Sequence, residues 1–292
     1  MAIVSMNRRP GWVWALLQFP LTRIVLFAVL LIAGIVFGQS PQLLGIPRHS
    51  AAAAIYSLLV VALSVGLYCV LVRRIEFREV TEFAGTHRAR DFGAGILTGT
   101  LLFTATMTLL ILLGAANVSV SGNGSAPAYA FVGALVAAVM EELLLRGVLF
   151  RIVEESLGSW IALALSALVF GVLHALNPGA TLASTMAIAL EAGVLLAAVY
   201  MYTRTLWMPI GLHLGWNFTE GGVFGASVSG GQARGWLASH LQGSDLLTGG
   251  AFGPEASLVA VLLCLAAGLA FLVFAVRRGN VVAPFWARKQ SA

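Results

Sequence analysis

Charge is the scarcest property of this sequence. Only 10% of its 292 residues are Asp, Glu, Lys or Arg, Lys289 is its one lysine, 59% of residues are hydrophobic, and the mean hydropathy is +0.93. That balance excludes a soluble globular domain, whose charged fraction is about 25%. Cysteine is also scarce. Cys69 and Cys264 sit far apart in apolar runs, which excludes a disulfide framework and a paired-cysteine metal site. Alternating polarity is missing from the apolar runs, so they cannot serve as membrane strands of roughly 10 residues and are read as helices. The net charge of +5 needs no nucleic acid, because the basic residues fall between the apolar runs.

Long apolar blocks are what the sequence does have, and they predict an all-α polytopic transmembrane bundle of about eight helices. These fall near 22–38, 51–72, 92–115, 127–155, 158–176, 184–203, 206–220 and 256–276. Arginine collects at alternate ends: Arg8 and Arg9, then Arg73, Arg74, Arg78, Arg88 and Arg90, then Arg151, Arg204, and finally Arg277, Arg278, Arg288 and Lys289. The opposite connections carry only Arg48 and Arg234, so the positive-inside rule predicts both termini to be cytoplasmic. The charged start is read as leading into a retained first helix, since no small-residue cleavage site follows it. Three regions are expected: N-terminal helices and a cytoplasmic loop (1–126), a core (127–220), and a Gly-rich outer loop with a last helix and basic tail (221–292). The connection 73–91 reads as a solvated loop or surface helix. The stretch 221–255 is too long for a mere connector and reads as a lid-like element.

Chemistry concentrates where charge interrupts the core. Glu141 and Glu142 stand in an apolar run with Arg146 four residues on, and an ionisable group at a helix centre costs about 2.5–3.5 kcal/mol on insertion scales. Glu142 and Arg146 share a helical face and suit an ion pair. Glu141, about 100° around the helix, is free to act as a general base. His174 follows Phe170 by one turn, near Gly171, where a neighbouring helix can approach, and is suited to hold a water for Glu141. His213 and Asn217 project from one stripe and can donate two hydrogen bonds to one oxyanion. At 1.5 Å per residue Glu141 and His174 lie roughly 21 and 24 Å from one bundle end, but His213 only roughly 10 Å, so its helix must start earlier or tilt. His49, His87 and His240 fall in loops. Singly, each pair also has a structural use as helix glue.

In order, Glu141-Glu142-x-x-x-Arg146, Phe170-x-x-x-His174 and His213-x-x-x-Asn217 resemble the CAAX protease and bacteriocin-processing family, the intramembrane glutamate-type endopeptidases also called the Abi family. The three motifs span roughly residues 127–220, and a wider stretch, including Thr205–His213 and Gly250-Ala-Phe-Gly-Pro-Glu255, is also similar to bacterial members; the first three helices add no motif. It implies Glu141 as catalytic base, His174 as its helper at the water, His213 and Asn217 as the oxyanion hole, and Glu142 holding Arg146, with Phe170 in support. Its substrate would be a membrane-associated peptide or protein, CAAX-like or of bacteriocin type, met within the lipid bilayer. The codon-biased composition suggests a bacterial inner membrane. The family's metalloprotease label leaves a divalent metal such as zinc open, on Glu141, His174 and His213; no His-Glu-x-x-His is present to make a tight zinc site. Two rivals stand beside this reading. Ser227 or Ser229 in a glycine setting is a weak serine-protease signal, and an intramembrane Glu/His/Arg cluster also suits a transporter or a scaffold.

Overall fold

The computed structural model describes residues 11–47, 50–121, 126–232 and 235–288. Arg8, Arg9, Arg48, His49, Arg234 and Lys289 lie outside the described residues. Helix α1 (Trp12–Gln18) turns at Pro20 into α2 (Pro20–Gln39), followed by α3 (Ala51–Ile75) and α4 (Arg88–Leu112). Helix α5 (Ala126–Glu142) runs through a π-helical stretch, Leu143–Phe150, into α6 (Arg151–Leu157). Next comes α7 (Ser159–His174), and then α8 (Leu182–Ile188), a second π-helical stretch Ala189–Gly193 and α9 (Val194–Thr203). Helix α10 (Trp207–Asn217) ends in a third π-helical stretch, Phe218–Val223, and the short α11 (Asp245–Thr248) precedes α12 (Leu258–Arg277).

The result is an all-α, multi-pass membrane bundle with helices at all eight expected places. Six of its helical runs are long and apolar enough to cross a membrane; α7 is a shorter apolar helix, and α10 has only 11 residues. Helix α1 was not expected. Nor was the small antiparallel pair of β1 (Ala116–Val120) and β2 (Leu237–Leu241), which ties the Gly-rich stretch to the connection after α4. Leucines exposed along α2, α3, α4 and α12 form the outer face, as a lipid solvent requires.

The connection 73–91 is largely exposed, as expected, except at two of its acids. Glu76 and Glu82 are buried, with side chains only 2% and 1% exposed, and they join an ionic belt at one end of the bundle. Arg23, Arg78 and Arg151 bind Glu76; Arg78 and Arg151 bind Glu82; Arg151 and Arg23 bind Glu155; and Arg204 binds Glu154. Helix ends distant in sequence thus gather at a single face. The loop also reaches inward: Glu82 O accepts from Leu206 N (2.8 Å) and Phe83 O from Trp207 Nε1 (3.2 Å), which holds the start of α10 inside the bundle.

Helices α4 and α10 touch backbone to backbone. A Cβ on Gly95 would sit 2.3 Å from Met208 O, and one on Gly99 2.1 Å from Leu212 O; on the other side Gly211 and Gly215 would meet Phe92 O at 2.2 Å and Ile96 O at 2.3 Å. Two glycine pairs spaced by four therefore interlock, the small-residue contact that membrane helices use in place of a hydrophobic drive. Helix α4 thus contributes packing to the core though none of the three motifs, and His213 stands between the two glycines of α10.

Candidate active site

Three π-helical stretches border the polar centre, one just after Glu142, one around Glu191 and one just after Asn217. A π turn widens the helix and frees carbonyls from the regular ladder, and it recurs at functional sites. Here the freed groups are used. Gly147 O accepts from Tyr68 Oη (2.9 Å) and from Arg151 Nε (2.8 Å). Gly193 O and Ala192 O accept from Arg146 Nη2 at 3.0 and 3.4 Å.

Arg146 and Glu142 are wholly buried. Arg146 Nη1 donates to Glu142 Oε1 (2.8 Å), and its guanidinium lies 5.1 Å from the Phe170 ring centroid. The expected pair is present, and it does more than neutralise charge. The same Oε1 is 3.1 Å from His213 Nδ1, and since a carboxylate only accepts, Nδ1 carries the proton. His174 is fixed in the same tautomer, its Nδ1–H donating to Phe170 O (2.8 Å), and its ring stacks on Phe170 at 4.6 Å. Both imidazoles therefore turn Nε2 inward.

Glu141 Oε2 lies 3.9 Å from His174 Nε2 and 3.9 Å from His213 Nε2. It is buried, with no hydrogen-bond partner of ordinary geometry. Three acceptors facing one point repel unless a donor stands among them, and 3.9 Å is too long for a direct hydrogen bond but suits a bridging water. A small cavity, partly open to its surroundings, adjoins this point; His174, His213 and partly buried Asn217 line it with Phe170, Trp216 and Leu212.

The convergence of α10 with α5 follows from its recessed start. Gly147 packs against Leu206, six residues beyond Glu141, a rise of about 9 Å; from Leu206 to His213 is seven residues, about 10.5 Å in the opposite direction. Of the two ways the depth arithmetic allowed, an earlier start or a tilt, the earlier start is not seen: α10 begins at Trp207, deep in the bundle. Close approach at Gly171, where a Cβ would lie 2.5 Å from Thr185 O, and at Gly193 against Ala167 brings α7 onto the second π-helical stretch, as the sequence suggested for Gly171.

Sequence reasoning missed Glu191, Glu220 and Glu255, all buried. Glu191 and Glu255 line the cavity, with Ser229, whose N–H donates to Glu255 Oε1 (2.7 Å). The signal was available, because Glu191 and Glu220 interrupt apolar helices as Glu141 does. Ser227 Oγ donates to backbone carbonyls of Gly231 and Phe252, with no histidine in that set. Glu141, His174 and His213 are the donors a metal would use. Among the described residues no group of three or more His, Cys, Asp or Glu side chains is arranged to hold an ion. The 3.9 Å separations exceed the roughly 3.4 Å between donors that a tetrahedral zinc with bonds of about 2.0–2.1 Å imposes.

Residues 123–219 match the family model described as Rce1-like, type II CAAX prenyl endopeptidase Rce1-like. The match runs from the start of α5 just past Asn217 and so contains all seven residues singled out by the three motifs. No curated protein and no solved structure matches the chain.

Proposed function

We propose, from the premise that over residues 123–219 this chain belongs to the type II CAAX prenyl endopeptidase Rce1-like family, that it hydrolyses a peptide bond of a membrane-associated substrate with Glu141 as general base. The observation carrying this reading is the meeting of Glu141 Oε2 with two imidazole Nε2 atoms at 3.9 Å each, beside a cavity inside a membrane bundle. A water placed there gives one proton to Glu141 as its oxygen bonds to the scissile carbonyl carbon. His174 Nε2 accepts the water's other hydrogen and orients it. The carbonyl oxygen, now an oxyanion, takes hydrogen bonds from the Asn217 amide and from His213 Nε2. Glu141 then passes its proton to the departing amine, which leaves as a free amino terminus, and the proton still on the attacking oxygen passes by way of His174 Nε2 to water, leaving a carboxylate.

His213 can donate from Nε2 only as the imidazolium, because Nδ1–H is already directed at Glu142. The water's two protons are then directed at Glu141 and His174, and the Nε2–H of His213 is left for the oxyanion. Glu142 in this scheme holds both Arg146 and the oxyanion donor. The scheme is written without a metal, a reading that the donor separations support, and a chelator arm tests it directly.

Substrates of CAAX type or of bacteriocin type suit the same site, and the setting proposed is a bacterial inner membrane. The test is incubation of detergent-purified protein with lipid-anchored peptides, with products identified by mass spectrometry with and without chelator. The reading expects two product peptides in both arms. Intact peptides with a folded protein, together with ion-dependent uptake in vesicles, would replace it with a transporter.

A further inference from the structure

Glu191 and Glu255 line the cavity that holds His174, His213 and Asn217, Glu220 lies within electrostatic reach of both, and nothing in the hydrolytic scheme uses these three acids. They come from different parts of the chain. Glu191 sits on the second π-helical stretch, Glu220 on the third, and Glu255 on the turn Pro254–Ala256 before α12. All three are buried, at 3%, 0% and 4% exposure, and they lie within electrostatic reach of one another. Neither carboxylate oxygen of Glu220 has a hydrogen-bond partner of ordinary geometry. Glu255 is aimed by Ser229, whose left-handed backbone (φ 48°) directs its N–H at Oε1.

Buried carboxylates need partners. Arg146 is committed to Glu142 and to Gly193 O, and the charged groups acting most strongly on the three acids are one another and His174. Like charges this close destabilise their ionised forms unless a cation joins them or a proton is shared. Glu191 and Glu255 face the cavity, and Trp216 adds an aromatic wall of the kind that favours ammonium and guanidinium groups.

We propose that Glu191, Glu220 and Glu255 form a subsite for a positively charged nitrogen, an ammonium or guanidinium that the substrate peptide carries beside the scissile bond. The subsite rests on the proteolytic reading and deepens it by naming a substrate class, peptides cationic at a position next to the cleaved bond. Glu191 lies within the residues matched by the family model, and Glu220, Glu255 and Ser229 lie beyond them.

The experiment uses the full-length protein in detergent and lipid-anchored, N-acetylated peptides, with lysine or its neutral isostere norleucine placed in turn at each position around the cleaved bond. A matched set with a free amino terminus separates side-chain from terminal ammonium. Lysine at one position should raise kcat/KM roughly tenfold or more over norleucine, and the ratio should fall towards one in both Glu191→Gln and Glu255→Gln. Each variant is checked by thermal unfolding, and the wild-type ratio stands as a test even where a variant does not fold. Equal cleavage of the lysine and norleucine peptides by wild type would overturn the subsite and leave a proton-sharing cluster. A lysine preference that survives in both folded variants would overturn its assignment to these acids. Absence of all cleavage by folded protein would overturn the proteolytic reading and the subsite with it.

Discussion

Glu142 Oε1 receives both Arg146 and His213, so a single oxygen joins structure to chemistry. Glu142→Ala would strand a wholly buried guanidinium, a loss of about 3–5 kcal/mol. The expected outcome is a sharp fall in folded protein on size-exclusion chromatography; a variant that purifies and melts like wild type would contradict the pairing. Asn217 is different, because it is only partly buried at the cavity wall and carries no buried partner. Asn217→Ala should lower kcat by about 10²–10³ with little change in thermal unfolding. The seven motif residues were legible in the sequence because charge and imidazole in apolar helices have few other reasons to be there. The double duty of Glu142 was not legible, since it depends on a contact across 71 residues.

At the scale of elements, the glycine pairs of α4 and α10 decide where His213 lies. Gly99→Ala places a methyl 2.1 Å from Leu212 O, a rigid backbone atom, and should cost about 1–3 kcal/mol and reduce activity by displacing the helix that carries His213 and Asn217. Gly66→Ala is the control: a Cβ there meets nothing within 4 Å, and in a helix it should be neutral or stabilising by up to about 1 kcal/mol. Parallel melting curves compare them, and equal behaviour would remove the backbone contact from the account. Helix positions were readable from apolar runs within a few residues at most ends. The π-helical stretches were not, because a one-residue widening leaves no periodic trace, and neither was the recessed start of α10, set by the inward loop at Glu82 and Phe83.

For the whole molecule, the ionic belt gathers arginines from several helix ends at one face, consistent with the charge alternation that proposes this face as cytoplasmic. The cavity is walled on another side by Ser229 and Glu255 of the Gly-rich region. In the belt, burial works to raise the Glu76 carboxyl, but Arg151 and Arg78 outweigh it and hold the group below its ordinary value of 4.5. Its stabilising contribution is therefore complete above that value and is lost as pH falls through the depressed one. Thermal stability in detergent should hold from neutral pH to about 5 and decline below it, and Glu76→Gln should flatten that acid decline; an unchanged decline would assign it to other groups. The central claim, that Glu141 activates water for peptide hydrolysis, is tested most directly by comparing wild type with Glu141→Gln on a cleaved lipid-anchored peptide, each with and without chelator. The account predicts cleavage by wild type in both arms and none by a variant whose melting temperature is unchanged. Cleavage by Glu141→Gln at the wild-type rate would contradict it.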